Sequence, residues 1–222
     1  AILQGALAPI CHAFGDFEKE RVARRMGVDL LRAVVKHFWD ATRGLFVSNP
    51  PWLTEEKSLR LCDRSLATSI LFDQCPRRLI EPAVEALVNC PDHVGLSYPA
   101  NAGWRLWALC KAGRADVALQ DLRTRWAAMR SVDENRTLQE DWQARPDSGQ
   151  QWSHCAVVPL YLTYMGFAGI RPLQPGFRRV EIRPQPAGLE RLELVAWTPL
   201  GPIQFLSSGA RGVRRLTLEI PA

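Results

Sequence analysis

No apolar run in this sequence approaches the length of a transmembrane helix, and residues 1–15 are neither basic nor apolar enough to read as a signal peptide. A helical membrane anchor within these residues is excluded. There is no C-x-x-C pair and no ladder of histidines beside the six cysteines (Cys11, Cys62, Cys75, Cys90, Cys110 and Cys155), which argues against a structural zinc site or a disulfide framework. Most of these cysteines fall in apolar helical or helix-flanking patterns, so they read as buried free thiols, which leans towards a reducing, cytoplasmic compartment. No fixed repeat period is visible, no acidic metal-ligand loop is present, and no nucleic-acid module signature appears. The net charge of +5 comes from arginine pairs interleaved with acids, a pattern of solvated faces and local ion pairs rather than a phosphate-binding stripe. Neither a metal nor an organic cofactor is expected, and neither a nucleic acid nor a membrane is expected as partner.

What is present is helix first and strand last. The segment 1–14 is apolar, carries Pro9 and has no N-terminal cap, which reads as a cut edge. From Glu18, apolar residues recur every fourth position at Val22, Met26, Leu30, Val34 and Phe38, predicting a long amphipathic helix. A loop over 40–54, closed by Thr54 as a cap, leads to a helix pair marked by Leu59, Leu66 and Ile70, then Leu79, Ala83 and Leu87. A further pair follows, with Trp104, Leu106, Trp107 and Leu109 on the first member and Ala115, Leu119, Leu122, Trp126 and Met129 on the second, separated by Gly113. Residues 154–168 return to helix with a kink predicted at Pro159, and after Pro172 short β-rich runs alternate with Pro and Gly. Consecutive helical hairpins without a repeat period suggest part of an α/α toroid rather than a solenoid, followed by a partial antiparallel sheet.

Between the helical patterns lies Arg136–Pro159, R-T-L-Q-E-D-W-Q-A-R-P-D-S-G-Q-Q-W-S-H-C-A-V-V-P. Thr137-x-x-Glu140 has the spacing of a capping box, but the residues after it lack a helical apolar period, and Pro146 would stop a helix. Ser148-x-x-Gln151 is the more natural capping box, which leaves Glu140 in an irregular loop beside Asp141. Trp142 and Trp152 flank this loop, and His154 lies close behind it. Tryptophans in such loops serve either as plugs over a core or as platforms for sugar rings. A carboxylate, aromatic walls and an imidazole donor match the needs of glycoside hydrolysis.

The ordered blocks T-L-Q-E-D-W, W-S-H-C-A-V-V-P, M-G-F-A-G-I-R-P-L-Q-P-G-F-R-R-V-E-I-R-P and A-W-T-P-L-G-P-I, with K-H-F-W-D-A-T-R-G-L-F and A-L-C-K-A-G-R-A-D-V-A-L before them, resemble the C-terminal part of bacterial α-L-rhamnosidases. The resemblance implies a mainly α fold, with residues 1–171 as part of an (α/α)6 catalytic toroid and 172–222 as a partial β-sandwich domain. It implies an inverting glycosidase acting on a rhamnose-containing oligosaccharide or glycoside. Glu140 falls on the family's general base, Trp142 on its following tryptophan and His154 on its sugar-binding histidine, with Trp152 as a further substrate-binding aromatic. The sequence departs from the family at Gln139, where a tryptophan is usual, and at 155–158, where an aromatic is common.

The family's general acid lies in an acidic motif that no stretch of this chain matches, and Asp141, adjacent to Glu140, is not nominated for that role. The chain therefore reads as a fragment that carries the base, and it can be inactive alone. Self-association, or a missing N-terminal half covering residues 1–40, is expected. The alternative reading is a non-catalytic carbohydrate-binding or scaffolding remnant, in which Glu140 only accepts hydroxyl hydrogen bonds.

Overall fold

A computed structural model of the chain describes residues 2–42, 44–47, 61–91, 94–145, 148–152 and 156–221. The chain divides into two compact units, Ala1–Ser97 and Tyr98–Ala222. The architecture is mainly helical, with small sheets that are antiparallel except for one short parallel pairing.

The first unit opens with a π-helical turn, Ile2–Leu7, that runs into α1 (Ala8–Ala13) and then α2 (Phe17–Phe38). Asp16 starts α2 by accepting the backbone N–H of Lys19 at 3.1 Å, a side-chain N-cap. The short strands β1 (Trp39–Asp40) and β2 (Leu45–Phe46) pair antiparallel, and β2 delivers Leu45, Phe46 and Val47 into the core. Strand β3 (Leu61–Cys62) leads into α3 (Asp63–Leu71), followed by α4 (Arg77–Asn89) and β4 (Val94–Gly95), which pairs parallel to β3. Leu66, Ala67, Ile70, Ala83 and Leu87 fill the space between α3 and α4. The buried carboxylate of Asp63 fastens the end of the unit, accepting from the Ser97 hydroxyl at 2.6 Å and from the Ser97 N–H at 3.2 Å.

The second unit begins with α5 (Pro99–Lys111) and α6 (Ala115–Asp121). Gly113, at φ +84°, closes α5 with paired bonds from Arg114 N to Leu109 O (2.8 Å) and from Gly113 N to Cys110 O (3.1 Å). A π-helical turn Leu122–Trp126, α7 (Arg130–Asn135), a 3₁₀ turn Gly149–Gln151, α8 (Val158–Tyr161) and a second π-helical turn Leu162–Phe167 complete the helical part. The β part consists of β5 (Ile170–Pro172) paired with β6 (Val180–Ile182), then a meander of β7 (Arg191–Thr198), β8 (Gly201–Ser208) and β9 (Arg215–Glu219). Strand β7 alternates cleanly, with Leu192, Leu194 and Ala196 inside and Arg191, Glu193, Val195 and Trp197 outside.

Two sequence expectations change. The helix over Val22, Met26, Leu30 and Val34 forms, but these four residues are 41–52% exposed, and its buried positions are the small Ala23 and Gly27. Periodicity marked a face that wants a partner, and within the described residues of this unit none covers it. Pro159 does not kink a helix. It sits in the first turn of α8, where its missing N–H costs nothing. The loop closed by Thr54 lies largely outside the described residues.

Candidate functional site

The site is built on α5. Asn101, Trp104 and Trp107 recur at three-residue steps and form a half-buried face, while Ala102, Leu106, Leu109 and Cys110 face the core. The two indoles stack with centroids 6.3 Å apart at 25°, and Tyr161 of α8 meets Trp107 edge-on at 6.0 Å and 65°. With Met165 and Glu140 these residues line a cavity of about 460 Å³. Glu140 is exposed, and it is the one carboxylate among the described lining residues. The arrangement is an aromatic wall with a single acid on it, a geometry suited to stacking an apolar ring face while a carboxylate reaches a polar edge.

Gly103 sets how close α8 can come. A Cβ at this position would lie 2.0 Å from the Tyr161 hydroxyl oxygen and 2.6 Å from Val158 Cγ2. A side chain here forces Tyr161 to move. Gly103→Ala is expected to cost roughly 1–3 kcal/mol by overpacking and to change the near-ultraviolet circular dichroism of the Trp107–Tyr161 pair. An unchanged melt and an unchanged aromatic spectrum would contradict the packing described.

Burial also pushes two titrating groups upward, Cys110 on the core side of α5 from 9.0 to about 12 and Tyr161 on the cavity wall from 10.0 to about 12, the latter with a smaller contribution from the Cys110 charge. Both are neutral when protonated, so the folded protein keeps protons that the unfolded chain gives up. Stability is therefore whole below about pH 9 and falls as pH rises from there towards 12, by roughly 1.4 kcal/mol per unit for each group in its window. Thermal melts across this range are expected to decline, and Cys110→Ala is expected to flatten the decline at its lower end.

The loop carrying Glu140 is held by two buried glutamines. Gln139, 2% exposed, accepts the Ser131 N–H at 3.2 Å and donates to the carbonyls of Asp141 (2.7 Å) and Trp142 (3.0 Å). It templates the turn from inside. Gln151 is equally buried and accepts from Asn135 Nδ2 at 3.3 Å. The Thr137 hydroxyl donates to Gln151 O at 2.9 Å and the Glu140 N–H to Gln150 O at 2.8 Å, so the two ends of the loop are sewn together. Neither capping box forms: Thr137 is used across the loop, and the Ser148 hydroxyl turns back to Arg145 O at 2.7 Å. Gln139 thus serves both the first turn of α7, through the Ser131 N–H, and the loop carbonyls, while Gln151 is met by the Asn135 side chain.

The other residues nominated from sequence lie apart from this cavity or beyond description. Trp142 packs edge-on against Trp126 at 5.4 Å, and the Arg125 guanidinium sits 3.9 Å above its ring centre. Arg125 and the buried Arg105 both reach Asp121 Oδ1, at 3.4 and 3.3 Å. Trp142 is thereby tied to α5 and α6 and braces the loop. Trp152 is 54% exposed and, like Trp142, is absent from the described cavity lining. His154 lies outside the described residues. Sequence reading missed Trp104, Trp107 and Tyr161 as walls. The i, i+3, i+6 spacing of Asn101, Trp104 and Trp107 is the available signal, whereas the sequence reading takes the two tryptophans only as marks of a helix. Among the described residues no cluster of three His, Cys, Asp or Glu could hold a metal ion, and no helix is long and apolar enough to cross a membrane.

Residues 169–222 match the family model of the bacterial alpha-L-rhamnosidase C-terminal domain. The chain resembles the C-terminal part of a bacterial α-L-rhamnosidase. Its fold is shared with the crystal structure of a GH78 family rhamnosidase of Bacillus sp. GL1, at a TM-score of 0.78 and 20% identity, covering 95% of this chain and 23% of that one. It is shared also with the Streptomyces avermitilis alpha-L-rhamnosidase complexed with L-rhamnose, at a TM-score of 0.68 and 19% identity, covering 96% of this chain and 21% of the other. The chain thus spans less than a quarter of the length of either rhamnosidase. No curated protein matches it.

Proposed function

We propose that this chain is the part of an inverting α-L-rhamnosidase that carries the general base, and that Glu140 is that base. The observation that supports this most directly is the position of Glu140 as the carboxylate on an aromatic-walled cavity of about 460 Å³, in a chain whose C-terminal residues match a rhamnosidase domain. In this reading Glu140 takes a proton from a water as that water attacks the anomeric carbon, on the face opposite the departing group. Trp104 and Trp107 stack the sugar, Asn101 and Tyr161 offer hydrogen bonds, and His154 is assigned a further hydrogen bond to it. Trp142 fixes the loop through Arg125.

Inversion needs a second carboxyl roughly 6.5–9.5 Å away, which protonates the leaving oxygen. Among the described lining residues Glu140 is the only carboxylate, and this reading takes the acid from outside this sequence, such as a separate chain of the same protein. The exposed stripe of α2 (Val22, Met26, Leu30, Val34) suits the same reading, as the flank on which the preceding helices of an (α/α)6 toroid pack. Residues 1–171 then form the toroid part and 172–222 the β domain. The lone carboxylate also supports a second reading, a carbohydrate-binding remnant without turnover.

A parent chain containing both carboxyls distinguishes the two. Proton NMR during hydrolysis of an aryl α-L-rhamnoside is expected to show β-rhamnose as the first product. Appearance of the α-anomer first would exclude the inverting mechanism, and absence of hydrolysis would favour the binding remnant.

A further inference from the structure

Strand β9 forms one edge of the three-stranded sheet, and all five of its residues are exposed. Its register with β8 sets Leu216 opposite Ser207 and Leu218 opposite Phe205, so the two leucines lie on the sheet face where Phe205 and Ser207 are buried. They are nevertheless 48% and 38% exposed. Arg215, Thr217 and Glu219 point to the other face, opposite Ser208, Leu206 and Gln204. An edge strand with open backbone groups and apolar residues on its inner face is a template for another strand.

The sequence of this edge, Arg-Leu-Thr-Leu-Glu, is complementary to itself. An antiparallel copy centred on Thr217 places Arg215 opposite Glu219 at both ends and Leu216 opposite Leu218 on the inner face, with Thr217 facing its own copy. A register moved by two residues towards the N-terminus sets Arg214 opposite Leu218, and one moved towards the C-terminus sets Arg215 opposite Pro221; both lose the two ion pairs. A shift of one residue would mismatch the faces. Two-fold symmetry makes each favourable pair occur twice.

We propose that β9 is a homodimerisation edge, at which a second copy of this chain pairs antiparallel about Thr217 and joins the two meanders into one sheet. Five-residue strands bury little area, so the dimer is weak, with Kd in roughly the micromolar-to-millimolar range. Cross-strand opposite charges favour it and like charges oppose it.

Sedimentation velocity of the 222-residue chain up to about millimolar concentration tests this, with charge reversals run beside it. Arg215→Glu and Glu219→Arg each set like charges opposite one another and are expected to raise Kd roughly tenfold. The double variant restores complementarity and is expected to return Kd to within about threefold of the parent. Because Ser208 and Gln204 are the neutral neighbours within the chain, folding should survive each change, as melting curves will confirm. Mild oxidation of Thr217→Cys is expected to give a covalent dimer that the parent chain does not form, since directly opposed strand residues lie within disulfide reach. A chain that stays monomeric throughout overturns the proposal. A dimer indifferent to both reversals also overturns it and assigns association to another face, such as the exposed stripe of α2.

Discussion

Glu140→Gln in a parent chain that carries both carboxyls is expected to lower kcat for an aryl α-L-rhamnoside by roughly 10²–10⁴-fold while leaving KM within about threefold. The split follows from where the residue's contacts lie. The backbone N–H of Glu140 is bonded to Gln150 O, and the turn around it is held by Gln139, so the loop does not depend on the carboxylate. The amide has the same shape and occupies the same exposed position on the cavity wall. What it cannot do is take a proton from water. In the proposed reading binding rests on Trp104, Trp107 and Tyr161, which the substitution leaves untouched. Asp141→Asn, by contrast, is expected to change kcat little. Equal losses in the two variants would point to a shared electrostatic role, and full activity in Glu140→Gln would remove it as the base.

Gly169→Ala is expected to be the most destabilising single methyl in the chain, costing roughly 3–5 kcal/mol. Gly169 sits at φ +69°, where an L side chain is strained, and an added Cβ would lie 1.9 Å from the carbonyl oxygen of Arg183. That neighbour is backbone and cannot rotate aside as a side chain can. The same two residues share the bond from Arg183 N to Gly169 O at 3.0 Å, beside Gln185 N to Phe167 O at 2.7 Å and Gln185 Nε2 to Cys110 O at 2.8 Å. The contact is the seam between the helical and the strand parts of the second unit, so a displacement there breaks several bonds together. A shallow, shifted denaturant transition or failure to fold is expected. A Tm within a degree or two of the parent would contradict the close approach.

The β part was the more legible. The short β-rich runs set between Pro and Gly after Pro172 are strands in the fold, β7, β8 and β9 among them. Gly113 likewise marked the end of α5. Helical periodicity was less informative, because it reports which face is apolar and not whether anything covers it. On α2 the apolar stripe is exposed and the close packing is made through Ala23 and Gly27. On α5 the tryptophans mark a helix in the sequence and stand at a cavity in the fold, where Gly103 lets Tyr161 approach. The Glu140 loop was placed by the motif, but its supports were not. Gln139 and Gln151 are polar residues whose burial is matched by partners eight and sixteen positions away and, for Gln139, by local carbonyls, and a linear pattern cannot reveal them.

Titration of this chain with L-rhamnose, followed by intrinsic tryptophan fluorescence, tests the central reading most directly. A saturable change is predicted, weakened at least tenfold in Trp104→Ala and retained in Glu140→Gln. An absence of saturable change in the parent chain, or a change that survives the loss of Trp104, would contradict a sugar site at the Glu140 cavity.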